Sequence, residues 1–246
     1  MKKVLVSVAC LLAFIACKQE KKETSEAVID EKVTAVENEW EVLFNGTSLE
    51  KWKGFKTNEV SDAWKIEGEA LVFTPPAKGK KNKNHDLVTR QEYTNFVLQL
   101  DWKISEAGNS GVFWGVSENE NFGAGYQTGP EIQILDNDKH PDAKAGTTHQ
   151  AGALYDMVSP AKDVTKPVGE WNTMVITVNH KEHKGNVVLN GTEIVTFPVA
   201  NEEWNAMVAN SKFAGWDGFG KYTTGKIGLQ DHHDIVSFRN IKIKQL

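Results

Sequence analysis

Gly129-Pro130-Glu131-Ile132-Gln133-Ile134-Leu135-Asp136 reads as a β-strand with two chemically opposite faces. Side chains alternate across a strand, so Ile132 and Ile134 point one way and Glu131 and Gln133 the other, ~7 Å apart along the rise. One face wants a core; the other wants water or a polar ligand. A surface strand gives the same alternation, but the surroundings argue for more. Tyr126, Asp136, His140, His149 and Tyr155 lie close by in sequence with glycines on either side, a concentration of groups that bind sugars or move protons.

The same period of two recurs on both sides of this stretch. Phe96 to Ile104 alternates almost perfectly, which predicts a half-buried antiparallel strand. Trp64 to Ile66 and Ala70 to Phe73 flank a Glu67-Gly68-Glu69 turn, and Val112 to Val116 follows the glycine-rich segment 108–111. Trp171 to Val178 is apolar and β-branched. Val187 to Leu189 and Glu193 to Phe197 bracket Asn190-Gly191, a hairpin signal, and Lys226 to Gln230 and Ile235 to Ile243 close the chain. Only Asn201 to about Phe213 reads as helix. Many short strands, no βαβ alternation and no internal repeat predict an all-β sandwich of two antiparallel sheets with one short helix, its polar cleft on a concave face carrying Glu131 and Gln133.

The N-terminus has another character. Lys2 and Lys3 precede an apolar run from Val4 to Ala16, too short to span a bilayer, which predicts a signal peptide over residues 1–16. Phe14-Ile15-Ala16-Cys17 resembles a bacterial lipoprotein box, with Phe14 where leucine is usual, and the resemblance implies a lipidated Cys17 anchoring the protein to the membrane of the cell envelope. The acidic and lysine residues that follow look like the surface-export signals of Bacteroidetes lipoproteins. Residues 17–39 are dense in Lys, Glu, Asp and Thr without apolar periodicity and read as a solvated tether. A mature chain with one lipidated cysteine forms no internal disulfide, so the domain at 40–246 relies on its core. A formal net charge of −5 in 246 residues, with no basic patch, argues against nucleic acid as a partner. Eight tryptophans exceed ordinary core needs, and stacking on sugar rings is one use for the excess.

Six motifs in register carry a family resemblance: Leu43-Phe44-Asn45-Gly46, Gly108-Asn109-Ser110-Gly111, Gly129 to Asp136, Gly152-Ala153-Leu154-Tyr155, Gly169-Glu170-Trp171-Asn172, and Ile227 to His232 followed by Phe238-Arg239-Asn240-Ile241. Together they resemble the 3-keto-disaccharide hydrolase domain, once catalogued as a domain of unknown function. The resemblance covers the chain from about Trp40 to its end. It implies a concanavalin-A-like jelly roll and cleavage of glycosides whose glucosyl ring has been oxidised at C3. His233 departs from the pattern, which has glycine there.

A glycosidase of the two-carboxylate kind holds its carboxyls ~5–5.5 Å apart for retention or ~6.5–9.5 Å apart for inversion. The positions after Glu131 on its face are Gln133 and Leu135, so this strand supplies one carboxylate, with Asp136 a second only if the strand ends in a bulge. A 3-keto sugar needs less. Its carbonyl acidifies the proton on C2, so one base, donors for the enolate and an acid for the leaving oxygen suffice for β-elimination, and adding water completes a net hydrolysis. Glu131 or His232 is the expected base, with the other as proton donor, and Asn109, Tyr126, Gln133, Asp136, Tyr155, Gln230 and Arg239 are the candidates for holding the substrate. Each has a structural alternative: a lysine pair for Glu131, a satisfied core histidine for His232, a strand salt bridge for Arg239. A divalent metal is another way to stabilise an enolate, and Asp136, Asp138, His140, Asp142 and His149 share one loop, though without HxH or HExxH spacing. A separate oxidoreductase that makes the 3-keto substrate is implied. The rival readings are a non-catalytic lectin-like glycan-binding module and a glycosidase acting on unoxidised polysaccharide.

Overall fold

The computed structural model describes residues 39–77 and 84–246; the signal peptide, Cys17 and nearly all of the tether lie outside them. Among the described residues no helix is long and apolar enough to cross a membrane. In chain order the strands are β1 (Glu41–Phe44), β2 (Trp52–Gly54), β3 (Trp64–Glu67), β4 (Ala70–Phe73), β5 (Leu87–Thr89), β6 (Phe96–Ile104) and β7 (Asn109–Val116). They continue with β8 (Glu131–Leu135), β9 (Asn172–Asn179), β10 (Lys184–Leu189), β11 (Thr192–Pro198), β12 (Lys226–Leu229) and β13 (Val236–Gln245), with the helix α1 (Glu202–Ala209) between β11 and β12. All named pairings are antiparallel. One sheet runs β11-β10-β9-β6-β13-β4-β3 with β1 on β13, and the other runs β2-β5-β12-β7-β8. This is the two-sheet antiparallel sandwich that the alternation predicts, and the jelly-roll class that the resemblance implies.

The strands form where side-chain chemistry is split by face. In β9 every second residue is buried, the mark of a sheet with one wet side. Asn190 and Gly191 both have positive φ, 49° and 80°, as a two-residue hairpin turn requires to match the twist of β10 and β11. Helix α1 starts at Asn201, whose side chain accepts the Trp204 amide at 2.9 Å, and it ends earlier than the sequence suggests, because Asn210 and Ser211 turn their side chains back onto the carbonyls of Ala206 and Val208. The short strands β1, β2 and β5 have too few residues to show a period and escape a reading by alternation.

The core lies between the sheets. Ile132, Ile134, Val112 and Trp114 face it from β8 and β7, and Trp114 stacks on Phe197 of the opposite sheet with ring centres 5.5 Å apart. Strands β7 and β8 are buried at every residue, unlike β9. Their second face is therefore also covered, and that cover is the roof of the site described below. Five of the eight tryptophans (Trp52, Trp64, Trp102, Trp114 and Trp204) are core residues, so most of the excess is structural.

Trp52 is fully buried, and its indole N–H donates to the Leu43 carbonyl at 2.9 Å, tying the edge of the five-stranded sheet to the segment that pairs with β13. Trp52→Ala should cost about 3–5 kcal/mol, and Trp52→Phe, which keeps most of the apolar volume, about 1–3 kcal/mol for the orphaned carbonyl; urea-unfolding midpoints check both.

Candidate active site

A cavity of about 570 Å³ sits on the outer face of the five-stranded sheet, within the usual range for small-molecule sites. Its floor is a set of residues in neighbouring strands. Gly111 pairs with Gln133, Phe113 with Glu131, and the Gln230 amide bonds Gly111 O at 2.9 Å. The pairing of Leu87 with Leu229 sets Asp86, one residue before β5, beside Gln230. Asp86, Gln230, Gly111 and Gln133 thus form one row across four strands, and Glu131 stands in the next.

Glu131 owes its place to the absence of a side chain at Gly111. A β-carbon built there would fall 1.9 Å from Glu131 Oε1, so the carboxyl lies folded over β7. The Gln133 amide is set between acceptors on two sides. Turned one way, its nitrogen donates to His149 O at 3.3 Å; turned the other, it donates to Ser110 O at 2.9 Å and Glu131 Oε1 at 3.3 Å. The second orientation satisfies two acceptors and gives Glu131 a donor. Burial pushes the Glu131 carboxyl up from 4.5 to about 8; the Lys212 cation opposes this, while Asp86 and Asp142 add to it.

The far side of the floor holds two more buried carboxyls, neither of them among the expected site residues. Asp86 Oδ1 accepts the Asp231 amide at 3.0 Å, and Asp231 accepts the amides of His85 and His233. Burial, then the Asp231 charge, lifts Asp86 from 3.8 to about 7. Asp231 lies within the motif that carries the resemblance; Asp86 has no periodic signal, because it precedes a three-residue strand. His232 and His233 follow with φ of 28° and 63°, a left-handed turn that glycine enters freely and residues with a β-carbon enter at a cost of about 1–2 kcal/mol. At His233, where the resemblance calls for glycine, the imidazole lies 3.3 Å from Asp231 Oδ1 and adds a side chain to the lining.

His232 also lines the cavity. Its Nε2 meets the Asn109 amide at 3.4 Å and its Nδ1 faces Asp234 Oδ2 at 3.9 Å, while burial holds its pKa below the ordinary histidine value. The roof comes from loops. Tyr126 sits on a short 3₁₀ turn, and the segment after α1 supplies Lys212, Phe213, Trp216 and Phe219. Phe213 and Phe219 stack 3.7 Å apart and Trp216 meets Phe213 edge-on at 5.2 Å, so one tryptophan of the eight does reach the cavity. Tyr155 is held by a chain of contacts: its hydroxyl donates to Asp142 at 3.0 Å, His149 bridges Asp142 and Asp156, and Asp156 accepts the Lys212 amide at 2.8 Å. Lys212 Nζ then lies 3.9 Å over the Tyr155 ring.

Asn109, Tyr126, Glu131, Gln133, Tyr155, Gln230 and His232 therefore converge, and Gln230 Oε1 has no hydrogen-bond partner among the described residues. Two expectations are corrected. Arg239 is on the other sheet, where its Nε donates to Asp101 at 3.1 Å and its guanidinium stacks 4.2 Å from the Trp171 ring; the strand salt bridge is its role. Asp136 spends both oxygens on the backbone amides of Ala107, Asp138 and Lys139, fixing the loop after β8 outside this cavity. The loop's acidic and histidine residues do not gather as metal ligands, since Asp142 and His149 are bonded to each other. Among the described residues one set of possible ligand atoms, from His140, His232 and Asp234, lies within 4.8 Å. His140 Nδ1 accepts the Asp142 amide at 3.1 Å, so in the neutral ring the other nitrogen carries the proton and offers no lone pair.

The sequence pattern of the 3-keto-alpha-glucoside-1,2-lyase-like domain matches residues 39–244. The chain belongs to this family. The 3-keto-disaccharide hydrolase of Bacteroides thetaiotaomicron is 31% identical to it, with 100% of each chain covered. Two crystal structures from Parabacteroides distasonis ATCC 8503, each of a protein proposed to be a glycosyl hydrolase, share the fold. Their TM-scores are 0.78 and 0.63 at 32% and 27% identity, over 89% and 85% of this chain and 98% and 100% of theirs.

Two outcomes follow from the seat of Glu131. Gly111→Ala should push the carboxyl off β7 and lower turnover by about 10²-fold, the usual effect of displacing a reacting group by an ångström, with little change in melting temperature; initial rates and thermal melts check this. The raised Glu131 pKa means that the folded state holds a proton the unfolded chain releases. Wild-type stability therefore falls as pH rises from 4.5 to about 8. Relative to wild type, Glu131→Gln should gain on the order of a few kcal/mol across that window and nothing further above it, measured by denaturant unfolding at each pH.

Proposed function

We propose that this chain cleaves glycosides whose glucosyl ring carries a ketone at C3, by removing the C2 proton, expelling the C1 substituent and adding water to the resulting enone. The observation that carries this reading is the seat of Glu131: a buried carboxyl over a glycine, poised near neutral pH and facing amide and imidazole groups. A base of that pKa suits abstraction of a proton acidified by a carbonyl. The Asn109 amide, which gives one N–H to Nε2 of neutral His232, keeps a second to donate to the C3 oxygen as enolate charge develops. Gln133, Gln230 and Tyr155 supply further hydroxyl partners, and Tyr126 extends the wall. The Bacteroides thetaiotaomicron relative's name is in keeping with that substrate. The chemistry requires an oxidoreductase upstream to install the ketone, and the N-terminal sequence supports a lipid-anchored location in the cell envelope.

The test is a 3-keto-β-glucoside with a chromogenic aglycone, run beside its unoxidised parent. Release from the keto compound alone is expected. Glu131→Gln should lower that rate by about 10²–10⁴-fold while leaving binding intact by calorimetry. Binding without release from either compound would replace this reading with a lectin-like module, and release from the unoxidised parent would replace it with an ordinary glycosidase.

A further inference from the structure

We infer that Asp86 is a second catalytic residue, the proton donor and acceptor at C1, so that this one pocket carries out both elimination and hydration; this rests on the reading above. Three features of the structure lead there. Asp86 is a buried carboxyl that lines the cavity on the same face as Glu131. The Glu131 carboxyl is folded back over Gly111 of β7, and β7 lies two strand spacings, roughly 10 Å, from the β5 end where Asp86 sits. Both carboxyls line the same cavity of about 570 Å³, a volume with room for a sugar ring. The charges around the two differ in sign: the Lys212 cation faces Glu131 and the Asp231 carboxylate abuts Asp86. Burial outweighs that contrast, raising Glu131 to about 8 and Asp86 to about 7, so near neutral pH the pair holds at least one proton, and elimination begins from the less populated singly protonated form, with Glu131 anionic beside Lys212 and the proton on Asp86 beside Asp231.

The steps then balance. The Glu131 carboxylate takes the proton from C2, the C–H electron pair forms the C1–C2 double bond, and the C1–O bond breaks. The leaving oxygen keeps that bond's electron pair and takes the proton from Asp86. Asp86, now a carboxylate, removes a proton from water as the water oxygen bonds to C1. The C1–C2 π pair moves toward C2 and the C3 carbonyl, and Glu131 returns its proton to C2. Both carboxyls end as they began, with one water consumed.

Proton donation matters most for a poor leaving group, which makes the inference testable within one variant. Asp86→Asn, which keeps an acceptor for the Asp231 amide, should slow a 3-keto-glucoside with an alkyl or sugar aglycone by about 10²-fold or more. It should slow a nitrophenyl 3-keto-glucoside less than about tenfold, because nitrophenolate leaves without protonation. The enone should then accumulate with the nitrophenyl substrate, seen by its ultraviolet absorbance, because hydration has lost its base. Retained nitrophenol release shows that the variant is folded. Equal losses on both substrates in a variant that still binds 3-keto-glucose, unchanged rates on both, or no enone would overturn the role of Asp86. Failure of the wild type to release nitrophenol from the keto compound would instead overturn the reading on which it rests.

Discussion

Glu131 is a carboxyl removed from water and laid over a glycine. Burying an ionisable group without a full set of partners is unfavourable, and proteins tolerate it where the group's altered acidity is used. Here the cost takes the form of a pKa lifted to about 8. The rest of the site serves that placement. Gly111 leaves room beneath the carboxyl, Gln133 gives it a donor in one amide orientation, and the aromatic segment after α1 keeps water off it.

The same strand does two jobs. Ile132 and Ile134 close the core while Glu131 and Gln133, one residue out of phase, form the cavity floor. A one-residue slip in the β7–β8 register would put the isoleucines in the cavity and the carboxyl in the core, so hydrophobic burial on one face fixes the chemistry on the other. The polar contacts running from Lys212 through Tyr155, Asp142 and His149 to Asp156 then hold the roof to the sheet. Their members between Tyr155 and Asp156 are half-buried and satisfy one another, with the exposed Lys212 at the solvent end.

Arg239 and Asp86 show where reading by motif succeeds and where it stops. Arg239 belongs to a recognisable motif, yet β13 is in the eight-stranded sheet and the arginine completes a cluster with Asp101, Thr173 and Asn240. Asp86 belongs to no readable pattern, yet pairing of β5 with β12 carries it to the cavity floor. Asp136 and His149 are as polar as true lining residues, but nearby backbone amides, one of them in the β6–β7 turn, and loop carboxylates claim them first.

The sequence by itself determined the strands long enough to show a period, the Asn190-Gly191 hairpin, the helix α1, the two-sheet class and the two faces of β8, because alternation and turn chemistry are local. It also marked Glu131, Gln133 and His232, which stand within or beside such strands. Only the tertiary structure decided which carboxyls share a cavity, that Gly111 lies beneath Glu131, and that loops rather than solvent cover the polar face. Those facts depend on which distant strands become neighbours. Strand order is set by the packing of two whole sheets around one core, and no single segment encodes it.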